Sequence, residues 1–298
     1  MTCYLDITKS ELKIKIKEIE SIIENCTLCP RNCKVNRLKG EKGFCSLSNL
    51  PKISGYGPHF GEENILVGTH GSGTIFFTSC NLTCVYCQNY EISQLNIGNE
   101  ISFKSLANIM IELQNFGCHN INLVTPTPQV YSILKALEIA IEKGLKIPIV
   151  YNTSSYDSTK TLKLLNKVVD IYLPDIKYGN NENALKYSNA KNYFDIARNA
   201  IREMYNQVGD LIIKKELAEK GLLVRHLVLP NNLAKSEEVF KFLAELSKNT
   251  FINIMDQYYP CYKAYEYPEL SRKITKDEYE NVIKLARKYG LKRINTAY

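Results

Sequence analysis

The chain has 298 residues, 45% of them hydrophobic and 23% charged, with a formal net charge of +7 and ten cysteines. A chain of this length buries most of its apolar surface without covalent help, so disulfide stapling is not what its cysteines are for. No apolar run approaches the roughly 18 residues of a membrane span, and Lys and Arg are interleaved with Asp and Glu, as in KIKIKEIES, which argues for solvated helix faces over a nucleic-acid surface.

The N-terminus, MTCYLDITKSELKIKIKEIE, carries no apolar signal core, so the chain reads as cytoplasmic. Thr8 and Glu11 match a capping box, and Leu12, Ile16, Ile19 and Ile23 recur at helical spacing, predicting an amphipathic first helix. From Cys26 to about Gly61 the sequence is loop-like and glycine-rich, a stretch that needs a staple. Residues 1–61 are therefore expected to form a helix plus a Cys-rich metal-binding segment, and 62–298 the main domain. Strands are predicted at 73–78, 121–125, 147–152, 170–176, 222–229 and 251–257. Helices are predicted at 103–117, 129–144, 158–168, 192–220, 235–248 and 275–289.

This alternation specifies an α/β fold around a parallel sheet, either doubly wound or an incomplete barrel. Both architectures gather ligands at the C-terminal ends of the strands. Those ends carry Cys80, Thr125 to Thr127, Asn152 and Thr153, Asp175 and Lys177, His226, and the segment from Asp256 to Cys261.

The segment SCNLTCVYCQNYEIS, residues 79–93, places Cys80, Cys84 and Cys87 on one loop. Structural zinc and iron–sulfur cubanes ordinarily take four protein ligands, so three thiolates leave one metal position open for a substrate or cofactor. CNLTCVYC, with the aromatic Tyr86 before its last cysteine, resembles the Cys-x3-Cys-x2-Cys signature of the radical S-adenosylmethionine (radical SAM) superfamily. The resemblance extends through GSGTIFFTSC, INLVTPTPQ, PIVYNTSSY, VDIYLPDIKY, RHLVLP and NIMDQYYPCYKA, and points to uncharacterised iron–sulfur proteins grouped with pyruvate formate-lyase-activating enzymes. It implies a partial (β/α)6 barrel, a [4Fe–4S] cluster on the three cysteines and SAM on the fourth iron. It further implies reductive cleavage of SAM to a 5′-deoxyadenosyl radical that abstracts a substrate hydrogen. An electron donor of the flavodoxin or ferredoxin type belongs to that chemistry, and the substrate would be a protein or peptide, with a small molecule as the other reading.

Under the same resemblance Thr125 and Thr127, in TPTP, stand where the superfamily usually carries a Gly-Gly-Glu motif, so hydroxyls replace the expected carboxylate. Asn152 and Thr153 end the third strand, and the Asp175/Lys177 pair matches a segment near the SAM carboxylate. His226 matches a polar strand position near SAM; Arg225 alternates with it, so only one of the two can face the cavity. Beyond the last strand Asp256, Tyr258 and Cys261 are candidates for a substrate wall or hydrogen-atom donor, or else belong to an aromatic lid.

Cys26, Cys29, Cys33 and Cys45 form a second, complete set of four ligands for an auxiliary iron–sulfur cluster or a zinc ion. The readings from other functional classes are a zinc-stapled nucleic-acid-binding module and a non-catalytic electron carrier.

Overall fold

The structure is a computed structural model that describes residues 2–296. Ten strands are present in it: β1 (Lys52–His59), β2 (Ser72–Phe77), β3 (Asn99–Glu100), β4 (Ile121–Val124), β5 (Ile149–Thr153), β6 (Ile171–Pro174), β7 (Ile212–Lys214), β8 (Leu217–Leu227), β9 (Phe251–Met255) and β10 (Arg293–Thr296). The helices are α1 (Lys9–Glu24), α2 (Asn64–Val67), α3 (Tyr90–Ser93), α4 (Phe103–Asn115), α5 (Val130–Glu142), α6 (Thr159–Leu164), α7 (Asn181–Ser188), α8 (Tyr193–Val208), α9 (Ser236–Leu246) and α10 (Lys276–Lys288).

The sheet order is β10-β9-β8-β6-β5-β4-β2-β1-β3. All six expected strands pair in parallel, and β10 extends the parallel run beyond β9. At the other edge β1 runs antiparallel to β2, and the sheet does not close on itself. This is the expected partial barrel. β5 and β6 are buried at every position, because such strands have helices on one side and a filled interior on the other.

The interior is plugged from below. After β1 the chain turns into α2, and Leu66 packs with Val150, Ile171, Leu173 and Leu223. On the outer face Leu123, Tyr151, Tyr172 and Val224 join the core shared with α4, α5 and α9. Period-2 alternation thus sorts each strand's residues between plug and helices.

Three element expectations are corrected. Residues 52–59 form a strand, because β1 finds its partner in β2, which local sequence does not reveal. The helix expected over 192–220 stops at Val208; Gly209, at φ +69°, caps it, and the chain turns back as the β7–β8 hairpin. That hairpin turns at Lys215 and Glu216, both with positive φ, without the Asn-Gly chemistry that signals such turns. A further helix, α7, begins where the Asn180 side chain accepts from the Asn183 amide.

The capping box on α1 forms as expected, with Glu11 N–H donating to the Thr8 hydroxyl and the Thr8 amide to the Glu11 carboxylate. Its apolar stripe joins the same core as α5. Ile19→Ala, at a fully buried position of α1, is expected to cost about 2–5 kcal/mol through lost contacts and a residual cavity, read by urea unfolding. A loss below about 1 kcal/mol would show α1 to be loosely docked.

Candidate functional site

The loop that follows β2 is pinned on three sides. Ser79, at φ +70°, donates its amide to Ile92 O of α3. The amides of Thr83 and Val85 donate to Ser188 O and Tyr187 O at the end of α7, and Lys263 N–H donates to Val85 O from the far side. Cys87 N–H closes a turn onto Cys84 O at 3.1 Å, and the Gln94 side chain donates to the same carbonyl at 2.9 Å.

Cys80, Cys84 and Cys87 line one cavity of about 260 Å³ at the C-terminal ends of the parallel strands. Polar hydrogens reach each sulfur: Leu82 N–H lies 3.3 Å from Cys80 Sγ, Ser188 Oγ donates to Cys84 Sγ at 3.0 Å, and Ser93 Oγ lies 3.2 Å from Cys87 Sγ. Burial pushes the Cys80 thiol up to about 12 and the Cys84 thiol up to about 11. Lys177 pulls the second of these back down. Buried thiols of this kind ionise only when a metal supplies the missing positive charge, and the donors around them then favour the thiolate. The donor set therefore fits a thiolate-bound cluster.

The rest of the cavity wall is polar. Thr125, Asn152, Thr153, Asp175, Lys177 and Arg225 line it, and Tyr86 closes one side with its hydroxyl 2.7 Å from that of Tyr178. Thr125 holds φ at +60°, a strained value for a β-branched residue, kept by its amide bond to Asn152 O. Asp175 accepts from Lys177 Nζ and Arg225 Nε, both at 2.7 Å. Burial alone would raise its pKa, but the charges of Arg225 and then Lys177 outweigh burial and hold it at about 2. Burial would likewise lower Lys177, yet Asp175 and Cys84 together carry it above its ordinary value, so it stays an ammonium.

Several candidates sit elsewhere. His226 points to the helix side of β8, its Nδ1 donating to Ile176 O and its Nε2 paired with Ser236 Oγ, with its ring edge-on to Phe240; burial pushes its pKa down to about 4. Arg225 takes the cavity side instead, because it shares the parity of Leu223 over the plug. Thr127 is turned inward, donating at 2.8 Å to Asp157, which also accepts from Thr153 and Tyr151. Asp157 thus locks Thr153 in place from behind, a role without a motif to reveal it. Tyr258 is buried, donating to Leu270 O and packing edge-on to Tyr86, so it belongs to the aromatic lid. Cys261 donates its S–H to the backbone carbonyl of Tyr86 at 3.3 Å. Asp256 faces a second, adjoining cavity of about 250 Å³ that shares Arg225, Met255 and Gln257 with the first.

Cys26, Cys29, Cys33 and Cys45 surround a small pocket with Arg31, Arg37 and Asn81. Gly43 is required there, since a Cβ would lie 2.7 Å from Cys33 Cβ and 2.8 Å from its sulfur. Burial pushes the Cys29 thiol up to about 12. Among the described residues no three Cys, His, Asp or Glu side chains stand close enough to share one ion, so a mononuclear zinc would have to draw these thiols together. The two cysteine groups are back to back: Arg31 donates to Asn81 O at 2.8 Å, and Asn81 directly follows Cys80.

Arg225→Met is expected to cost about 3–5 kcal/mol at pH 7, because Asp175 and Glu62 keep buried charges without their partner. Asp175 has a depressed folded pKa, so its contribution is full above its unfolded value near pH 3.9 and is lost as pH falls through about 2. The gap between wild type and variant in urea unfolding should therefore shrink below about pH 4. A gap independent of pH down to about pH 2 would contradict the pairing.

The sequence model of the radical SAM superfamily matches residues 74–212. The uncharacterised protein MJ0674 of Methanocaldococcus jannaschii is 39% identical over 293 residues, covering 94% of this chain and 79% of the relative. A second uncharacterised protein of that organism, MJ0808, is 27% identical over 175 residues, 51% of this chain and 49% of its own length. Among solved structures, the FeFe-hydrogenase maturase HydG from Carboxydothermus hydrogenoformans superposes with a TM-score of 0.51 at 16% identity, covering 73% of this chain and 50% of HydG. The chain thus spans half the length of HydG, and at that identity the likeness concerns the fold alone.

Proposed function

The chain belongs to the radical SAM superfamily, whose members use a [4Fe–4S] cluster and SAM, and from that premise we propose that Cys80, Cys84 and Cys87 hold the cluster. The observation that carries this reading is the grouping of three hydrogen-bonded cysteine sulfurs on the wall of a polar cavity formed by the strand ends. When bound, cluster and SAM supply methionine and a 5′-deoxyadenosyl radical able to take a hydrogen atom from an unactivated carbon.

The chain's own residues do the positioning. Lys177, kept cationic and braced by Asp175, is set to receive the SAM carboxylate. Asn152 and Thr153 offer donors and acceptors to the sugar, with Thr153 held by Asp157 and Asn152 by Arg225 Nη2 at 2.6 Å. Thr125 presents its hydroxyl where a carboxylate would otherwise accept from the amine, and the ring of Tyr86 excludes water from one flank. We further propose an activating-enzyme-like role, hydrogen abstraction from a protein or peptide, with Asp256 on the substrate side. A reducing compartment suits ten cysteines of which none is paired. Among the described residues no helix is long and apolar enough to cross a membrane.

Anaerobically reconstituted protein, reduced with dithionite and given SAM, should release 5′-deoxyadenosine and methionine in equal amounts. The Cys80/Cys84/Cys87→Ala variant should release neither. Absence of product from reduced protein with a full iron complement would sink the proposal. The same variant should retain metal at Cys26, Cys29, Cys33 and Cys45: about four irons would identify an auxiliary cluster, one zinc a structural staple, and no metal would remove that site.

A further inference from the structure

The plug beneath the strand ends ends in two consecutive acids. Glu62 and Glu63 precede α2 and project with Asp256, Asn253 and Asn295 into the second cavity, beside β10 on the open side of the sheet. Glu62 is bound to Arg225 Nη1 at 3.0 Å. Glu63 is 7% exposed; its Oε1 accepts from Asn253 at 2.8 Å, while its Oε2 is buried with no hydrogen-bond partner among the described residues.

The two cations on this wall are already engaged. Arg225 spends Nε on Asp175, Nη1 on Glu62 and Nη2 on Asn152, and Lys177 is held by Asp175. Three carboxylates, Asp175, Glu62 and Glu63, therefore face two cations, with Asp256 adding a further acid on the cavity wall. Burial raises the Glu62 carboxyl above its ordinary value against the pull of Arg225, and Glu63 adds to the rise. An isolated carboxylate oxygen at this depth is costly unless a donor arrives with a ligand.

We infer that the cavity walled by Glu62, Glu63 and Asp256 receives an ammonium or guanidinium group of the substrate. This rests on the reading of the neighbouring cavity as the SAM site: the two share Arg225, Met255 and Gln257, so a cation held by Glu63 sets the adjoining part of the substrate beside the place where the hydrogen is taken. A charge held in the adjoining cavity selects among substrates without taking part in the chemistry.

The test uses the reconstituted holoenzyme with saturating SAM, its cluster oxidised and no reductant, so that binding is read without turnover. Agmatine and N-acetyl-lysinamide are titrated by saturation-transfer NMR beside the neutral N-acetyl-norleucinamide and the anionic N-acetyl-glutamate. The two cations should bind about tenfold more tightly than the neutral probe, the size of one charge-assisted hydrogen bond. Glu63→Gln, near-isosteric and matched to wild type in iron content, should abolish most of that preference while leaving the neutral probe unchanged. Equal binding of all four probes, no saturable binding of either cation, or unchanged binding in Glu63→Gln would overturn the inference. So would displacement of the organic cations by KCl or MgCl2 beyond what matched ionic strength explains, or displacement of SAM by the cations. Failure of the radical reading would appear separately, as missing 5′-deoxyadenosine in the reduced protein.

Discussion

Of the three thiols gathered on one cavity wall, Cys80 and Cys84 are pushed up by burial and ionise only with a compensating positive charge, and the loop that carries them has little internal structure to hold them there. Its conformation is imposed from outside: by α3 through Ser79, by the end of α7 through Thr83 and Val85, and by the segment around Lys263 on the far side. Each of these contacts joins residues distant in sequence. The barrel is thus the frame that keeps the three sulfurs on the wall of one cavity at the strand ends.

Arg225 ties that frame to its floor. A single guanidinium bridges the end of β6 through Asp175, the end of β5 through Asn152 and the plug through Glu62. Its planar fork suits this three-way grip, which a lysine could not reproduce. The consequence is mechanical as well as electrostatic: the walls of the two adjoining cavities are joined through one side chain.

The N-terminal segment is joined to the same machinery. Arg37, buried, donates to Ser48 O and Pro128 O and so fastens the Cys-rich stretch to the turn after β4. Arg31, lying over the Phe44 ring at 3.8 Å, reaches Asn81 beside Cys80. The four N-terminal cysteines are thereby set beside the first loop, so a charge introduced among them would be felt by that loop.

The sequence by itself determined the alternating α/β plan, the six core strands, the α1 cap and stripe, and the loop with three thiols, because each rests on a local period, a cap or a short spacing. The strand ends also located most of the cavity wall, since position along a parallel strand is a linear property. What only the tertiary structure decided depended on partners far away in the chain. β1 became a strand through β2, the helix after Tyr193 stopped short because β7 could pair with β8, and Asp157 acquired a role through Thr127 and Tyr151. The exchange of His226 for Arg225 is the sharpest case: alternation says that one of them faces inward, but which one depends on what fills the barrel, and Leu66, Glu62 and Glu63 come from a segment more than 150 residues earlier. Side-chain direction is local; the charge and volume waiting on each side of a strand are not.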